Sequence, residues 1–334
     1  LTLGRFFDYH LSGSLMEKPL TVVVSDETIL PEICGANDIN LKIMEELLGV
    51  KVFSRGNEIL VDTADDAIQK TFTQLLQQME EHVRLGQIPG PDLIRSLHGS
   101  LANGEAEKVE VLKRNLVVIP GGLKKVYPRT FNQAMYLESI ESQEIVFGVG
   151  PAGTGKTYLA VAQALKQVLG QSRRKLIITR PVVETGENLG FLPGDLTQKI
   201  HPYLRPLYDA IESLIPAELF RKLEENGVIE IAPLAYMRGR TLSGAFIILD
   251  EAQNTTREQM KMFLTRIGEN SRTVITGDIT QIDLPRKSDS GLLTVIPILT
   301  PIREIRFTFF EERDVVRNPL VRKIVHAYET AHEE

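Results

Sequence analysis

Apolar residues change their spacing several times along the chain, and each change marks an element. Leu20-Thr21-Val22-Val23-Val24 is a short aliphatic run that predicts a strand. From Asn37 the period becomes helical: Ile39, Ile43 and Leu47 recur every four residues, with Met44 and Leu48 beside them. Asn37 or Asp38 can cap that helix, and Gly49 stops it. Val50-Lys51-Val52-Phe53 and Glu58-Ile59-Leu60-Val61 then alternate around Arg55-Gly56-Asn57, the arrangement of a hairpin. A second helix is predicted from about Ala64 to Val83, completing a β-α-β-β-α unit within residues 1–84. Between about Leu85 and Lys108 the pattern dissolves among Gly86, Pro89, Gly90, Pro91, Gly99 and Gly104, which predicts a linker over 85–110.

Residues 111–334 read differently. Leu116–Ile119 suggests a strand, and Pro120-Gly121-Gly122 with Pro128 marks an irregular loop carrying Lys124, Lys125 and Arg129. From Glu144 onward short apolar runs alternate with helical or loop segments: Ile145–Val149, Leu176–Thr179, Val228–Ala232, Phe246–Leu249, Thr273–Thr276 and Ile305–Phe309. Near-continuous apolar strands of this kind belong to a parallel sheet with helices on both faces, so the expected fold class is α/β.

Composition narrows the setting more than the chemistry. The 334 residues suffice for about two domains. Hydrophobic residues make up 43% and charged residues 25%, an ordinary globular balance. The formal net charge of −6 gives no global basic field for nucleic acid, although a local patch is compatible with it. A lone cysteine, Cys34, rules out a disulfide framework within one chain and reads as a small packed residue. No apolar run has the length of a membrane span, and Leu1 to His10 lacks the pattern of a secretory signal, so a cytoplasmic setting is expected. His201, His326 and the other histidines show no metal-ligand spacing.

The sharpest signal is Gly150-Pro151-Ala152-Gly153-Thr154-Gly155-Lys156-Thr157, a complete phosphate-loop pattern. It follows an apolar strand and opens a helix predicted to run to about Leu169. Its glycines let main-chain N–H groups approach phosphate oxygens, and the helix N-terminus favours negative charge. Lys156 is expected to reach the β- and γ-phosphates of ATP and the Thr157 hydroxyl to hold Mg2+. Tyr158, next in line, is counted with the nucleotide-binding residues. Downstream, the strand Phe246–Leu249 delivers Asp250 and Glu251 to a sheet edge. Asp250 is expected to bind Mg2+ directly or through water, and Glu251 to orient and deprotonate the attacking water. A third strand ends in Gly277-Asp278-Ile279-Thr280-Gln281, where the Gln281 amide can bond both the water and the γ-phosphate. Catalysis is thus expected from Lys156, Glu251 and Gln281.

Asp250-Glu251-Ala252-Gln253 with Gly277-Asp278 and Gln281 resembles the motor core of superfamily 1 helicases, and the chain is more similar still to the PhoH family of ATPases. That resemblance also rests on Phe131-Asn132-Gln133, Thr179-Arg180-Pro181, Glu187 to Gly194, Tyr236 to Thr241, and Asp314-Val315-Val316-Arg317. It implies a RecA-like P-loop NTPase domain, Gln133 as an adenine-reading glutamine, and Arg180 as a residue that contacts nucleic acid or orders the site. Superfamily 1 motors place ATP between two RecA-like domains, and this chain has room for one. A ring-like homo-oligomer, with a hexamer favoured, is therefore expected, in which a neighbour supplies Arg238, Arg240 or Arg317 as an arginine finger.

The N-terminal unit resembles a KH-like RNA-binding module. Its loop is Gly35-Ala36-Asn37-Asp38, with Asp38 where such loops carry a second glycine; Lys42, Lys51 and Arg55 are its candidate RNA-facing charges. The likeness implies an RNA-directed ATPase acting in ribosomal RNA metabolism, with a YbeY-type endoribonuclease as a candidate partner. The alternative from another class is a nucleotide-controlled binding or assembly switch without unwinding. A small-molecule kinase is disfavoured, because the Asp-Glu-Ala-Gln segment and Gln281 suit hydrolysis better than transfer.

Overall fold

The computed structural model describes residues 19–102, 106–182 and 196–316. Arg317, His326, the Glu187 to Gly194 motif and Leu1 to His10 lie outside the described residues. Two compact units divide between residues 106 and 107.

The first unit begins with strand β1 (Leu20–Val23), followed by helices α1 (Leu30–Cys34) and α2 (Ile39–Leu48). Strands β2 (Val52–Arg55) and β3 (Glu58–Val61) and helices α3 (Asp66–Arg84) and α4 (Pro91–Ala102) complete it. The sheet is antiparallel in the order β1-β3-β2, with Ile59 opposite both Val22 and Ser54. Ile59 and Val61 alternate inward, and α3 buries Phe72, Leu75, Leu76 and Met79 at one- and three-residue spacings. Asp65 caps α3 by accepting from the Ala67 and Ile68 N–H groups.

Two expectations fail in this unit. Asp38 precedes α2 with a left-handed backbone (φ 55°), as does Asn37 (φ 54°), and the Asp38 side chain makes no capping bond. The chain leaves one tight turn there, and that turn fixes the backbone more strongly than the cap preference does. Residues 85–110 are not a featureless linker. Pro91 opens α4 at a position where its missing N–H costs nothing, and Leu93, Ile94 and Leu97 are buried as α4 packs on α2 and α3. The density of Gly and Pro hid a helix whose apolar stripe is only three residues long.

Helix α5 (Ala106–Arg114) begins at the division. Leu116–Ile119 forms no strand; Val117 makes an isolated antiparallel bridge to Val126, because the Pro120-Gly121-Gly122 turn brings only that pair into register. The second unit is an α/β domain built on six strands: β4 (Ile145–Val149), β5 (Lys175–Arg180), β6 (Ile229–Pro233), β7 (Ala245–Leu249), β8 (Arg272–Gly277) and β9 (Ile305–Phe309). All pairs are parallel, in the order β6-β5-β7-β8-β4-β9. Helices α6 (Phe131–Ser142), α7 (Lys156–Leu169), α8 (Leu196–Glu212) and α9 (Ala217–Glu225) share one core with Val146, Phe246, Ile248 and Val274. Helices α10 (Arg257–Leu264) and α11 (Gly291–Leu299) share the other with Phe147, Ile247, Leu249 and Ile275. Adjacent strand residues thus bury on opposite faces, which is why the strands read as unbroken apolar runs. This is a RecA-like P-loop fold, with a smaller antiparallel sheet preceding it in the chain. No helix among the described residues is long and apolar enough to cross a membrane.

Candidate functional site

Parallel strands all point the same way, so the loops after β4, β5, β7 and β8 gather at one sheet edge. The loop from Gly150 to Gly155 joins β4 to α7 there. Gly150 takes φ +149°, and a Cβ on it would meet the Phe310 carbonyl oxygen at 2.5 Å, so only glycine fits. Gly155 precedes α7 without a side-chain cap, which leaves the first-turn N–H groups to other acceptors. The buried Lys156 side chain curls back into the loop: its Nζ donates to the Gly150 and Pro151 carbonyls at 2.6 and 2.7 Å and to Thr154 Oγ1 at 3.2 Å.

Across the edge, β7 delivers Asp250 and Glu251. Asp250 Oδ1 accepts from Thr157 Oγ1 at 2.6 Å and from Thr276 Oγ1 at 2.7 Å, while its main-chain N–H donates to Thr179. Glu251 holds a left-handed backbone (φ 52°). Its Oε1 faces Arg180 Nη2 at 3.1 Å and its Oε2 accepts from Gln253 Nε2 at 2.5 Å. Burial pushes the Glu251 carboxyl above its usual range and Asp250 adds to this; Arg180, Gln253 and Lys156 oppose it. Arg180 also donates to the Tyr203 carbonyl at 3.1 Å, which ties β5 to α8.

A cleft of about 270 Å³ opens between these groups. Ala152, Gly153, Gly155, Lys156, Thr157, Tyr158, Asp250, Glu251 and Gln281 all line it, so these sequence-predicted residues come together from three strand ends. Gln281 is exposed at its rim. Thr157 and Asp250 are hard oxygen donors on one wall, the class Mg2+ takes; Mg2+ needs only one or two carboxylates because it keeps several waters.

Other candidates sit elsewhere. Gln133 is 4% exposed and lies behind the loop: its Oε1 accepts from the Arg129 N–H at 2.7 Å and its Nε2 donates to the Thr154 carbonyl at 3.0 Å. Arg240 is held in a two-pronged ion pair, Nη1 to Glu230 Oε1 at 2.5 Å and Nη2 to Oε2 at 2.8 Å. Arg238 is exposed, on the turn that follows β6.

Five contacts escaped sequence reasoning. Asp278 Oδ2 accepts from the Ala152 N–H at 3.0 Å, so a second acidic residue touches the phosphate loop. Gln253 joins Glu251 to Asp278, whose N–H donates to Gln253 Oε1 at 3.0 Å. Asp314 accepts from Asn132 Nδ2 at 2.7 Å, and the Val316 N–H donates to the Gly153 carbonyl at 2.9 Å, bracing the loop from the chain after β9. Asp278, Gln253, Asn132 and Asp314 all fall inside quoted motifs, but spacing alone assigned them no partner.

The family described as PhoH-like protein matches residues 125–329. The chain is 47% identical over 299 residues to a PhoH-like protein of Mycobacterium tuberculosis strain H37Rv, covering 89% of this chain and 84% of the relative. It is 46% identical over 296 residues to a PhoH-like protein of Bacillus subtilis, covering 88% and 92%. Protein PhoH of Escherichia coli K12 is 44% identical over 205 residues, 61% of this chain and 58% of that protein. With a phosphate loop on a parallel sheet and this likeness along most of its length, the chain belongs to the PhoH family, a family of P-loop NTPases.

Proposed function

We propose that the chain is a Mg2+-dependent ATPase whose turnover is directed by RNA. The observation that carries the hydrolytic reading is the 2.6 Å contact of Thr157 Oγ1 with Asp250 Oδ1, with Glu251 beside it in the same cleft as the loop. The main-chain N–H groups of 150–157 and the start of α7 receive the triphosphate. Phosphate oxygens are stronger acceptors than carbonyls, so the Lys156 ammonium exchanges the Gly150 and Pro151 oxygens for them. Thr157 and Asp250 would hold Mg2+, which when bound would neutralise phosphate charge. Glu251 takes the proton of the attacking water, and Gln281 at the rim orients that water against the γ-phosphate. Gln133, with both amide ends on main-chain groups, is assigned to bracing the loop rather than to the adenine edge.

RNA enters through two features. The first unit has the β-α-α-β-β-α order of a KH-like module, and Asp38 takes the left-handed backbone that a glycine would take at the same place in its loop. Lys42, Lys51 and Arg55 are its charges for test. Arg180 links a strand-end guanidinium directly to the base. Of the two candidate arginine fingers among the described residues we assign Arg238 in a neighbouring copy of a ring, since Arg240 is committed to Glu230; Arg317, outside the described residues, is the other candidate. A cytoplasmic role in ribosomal RNA maturation beside a YbeY-type endoribonuclease completes the reading.

Phosphate release from Mg-ATP, with and without single-stranded RNA across a salt series, is the test. Stimulation that fades as salt rises is expected. Turnover indifferent to RNA replaces this reading with the nucleotide-controlled assembly switch.

A further inference from the structure

Gln253 and Asn254 sit on the short turn Ala252–Asn254 that follows Glu251, and both are buried. A buried amide is costly unless both of its ends are bonded. Gln253, 1% exposed, accepts from the Asp278 N–H at 3.0 Å and donates to Glu251 Oε2 at 2.5 Å. Asn254 makes a reciprocal pair with Asp283: Oδ1 accepts from its main-chain N–H at 2.8 Å, and Nδ2 donates to its carboxylate at 3.1 Å. The turn carrying Glu251 is therefore stitched at two points to the loop 278–283, which carries Gln281.

The surroundings are shaped to the first stitch. A Cβ on Gly277 would stand 3.0 Å from Gln253 Oε1 and 2.5 Å from Leu292 Cδ2, so the amide and Leu292 occupy the space a side chain would need. Ser290 Oγ donates to the Gln253 carbonyl at 2.8 Å and fixes its backbone. Asp278 in turn reaches the Ala152 N–H, so the phosphate loop, the Glu251 turn and the Gln281 loop form one hydrogen-bonded piece. A non-glycine residue with positive φ, such as Glu251, persists where its neighbours over-determine it.

The geometry points to Gln253 and Asn254 as positioning residues that hold the Glu251 carboxylate and the Gln281 loop in one register against the phosphate loop. The inference rests on Glu251 acting as the base. Arg180 holds the other carboxylate oxygen, so removing the Gln253 amide leaves Glu251 pivoting about a single contact. A base displaced by a fraction of an ångström loses rate while the nucleotide still binds.

The test is steady-state ATP hydrolysis, ADP binding and thermal unfolding of the full chain carrying Gln253→Met, which keeps the side chain's size without its amide. We expect kcat to fall about 10- to 100-fold, with KM and ADP affinity within about twofold of the parent. Asn254→Leu should show a smaller fall of the same kind. Gln253→Glu keeps the acceptor for Asp278 and replaces the donor with an anion, so it should lose kcat as Gln253→Met does. In a Glu251→Gln background, adding Gln253→Met should cost no further turnover, because Gln253 acts through Glu251. A Gln253→Met variant that keeps parental kcat, or loses ADP affinity in step with kcat, overturns the inference while leaving the ATPase reading standing. Absence of turnover in the parent chain overturns both.

Discussion

Lys156 and Glu251 serve opposite halves of the proposed reaction, and their surroundings differ accordingly. The Lys156 ammonium is buried among loop oxygens, whose carbonyl dipoles help to solvate the cation. Lys156→Ala removes the charge that meets the phosphates and should abolish turnover, with ATP binding weakened at least about tenfold by calorimetry. The Glu251 carboxylate is held by Arg180 and Gln253, outside the phosphate loop. Glu251→Gln should therefore keep ATP affinity while kcat drops by about 10²- to 10⁴-fold, the usual worth of a general base. Equal loss of binding in that variant would remove Glu251 from the role of base.

Among elements, the turn between β6 and β7 is tied back to β6 by an ion pair. Arg240 and, from β5, Lys175 hold the Glu230 carboxyl below its usual range, with the Arg240 hydrogen bond the largest cause. A carboxylate whose folded pKa is depressed stabilises the fold above its unfolded pKa and loses that contribution as pH falls through the folded value. The parent should thus lose thermal stability on acidification in that window, and Glu230→Gln should flatten that part of the profile. The gain at neutral pH should be about 1 kcal/mol or less, since the pair is partly solvated. A Glu230→Gln profile parallel to the parent's would show that the pair contributes nothing. The same contact fixes Arg240 within its own chain, while Arg238, two residues earlier, projects to solvent.

For the whole molecule, the division between residues 106 and 107 separates a small antiparallel unit from the sheet that carries the cleft. Every described lining residue of that cleft belongs to the second unit. A chain starting at residue 107 should bind ADP with unchanged affinity and lose RNA stimulation; lost ADP binding would show that the small unit is needed for the nucleotide site. If turnover needs a neighbour's Arg238, mixing Arg238→Ala with Lys156→Ala chains should restore hydrolysis, since each supplies the group the other lacks. Native mass measured with Mg-ATP should show an oligomer in the same samples.

The phosphate loop, the acidic pair and the six apolar runs were legible because each is local: a contiguous motif or a strand's own burial states its meaning within about ten residues. α4 was not legible, since its three buried apolar residues find an apolar surface to pack against only when α2 and α3 are folded. The strand order was not legible either. Placing β8 between β4 and β7 brings Asp278 to Ala152 and Thr276 to Asp250, contacts that span 126 and 26 residues of chain. Sequence by itself determined which chemistry the chain carries, because a phosphate loop is a property of consecutive glycines and the helix after them. Only the tertiary structure decided which side chains aim that chemistry, because the neighbours of a parallel strand arrive through crossovers whose order no local pattern encodes.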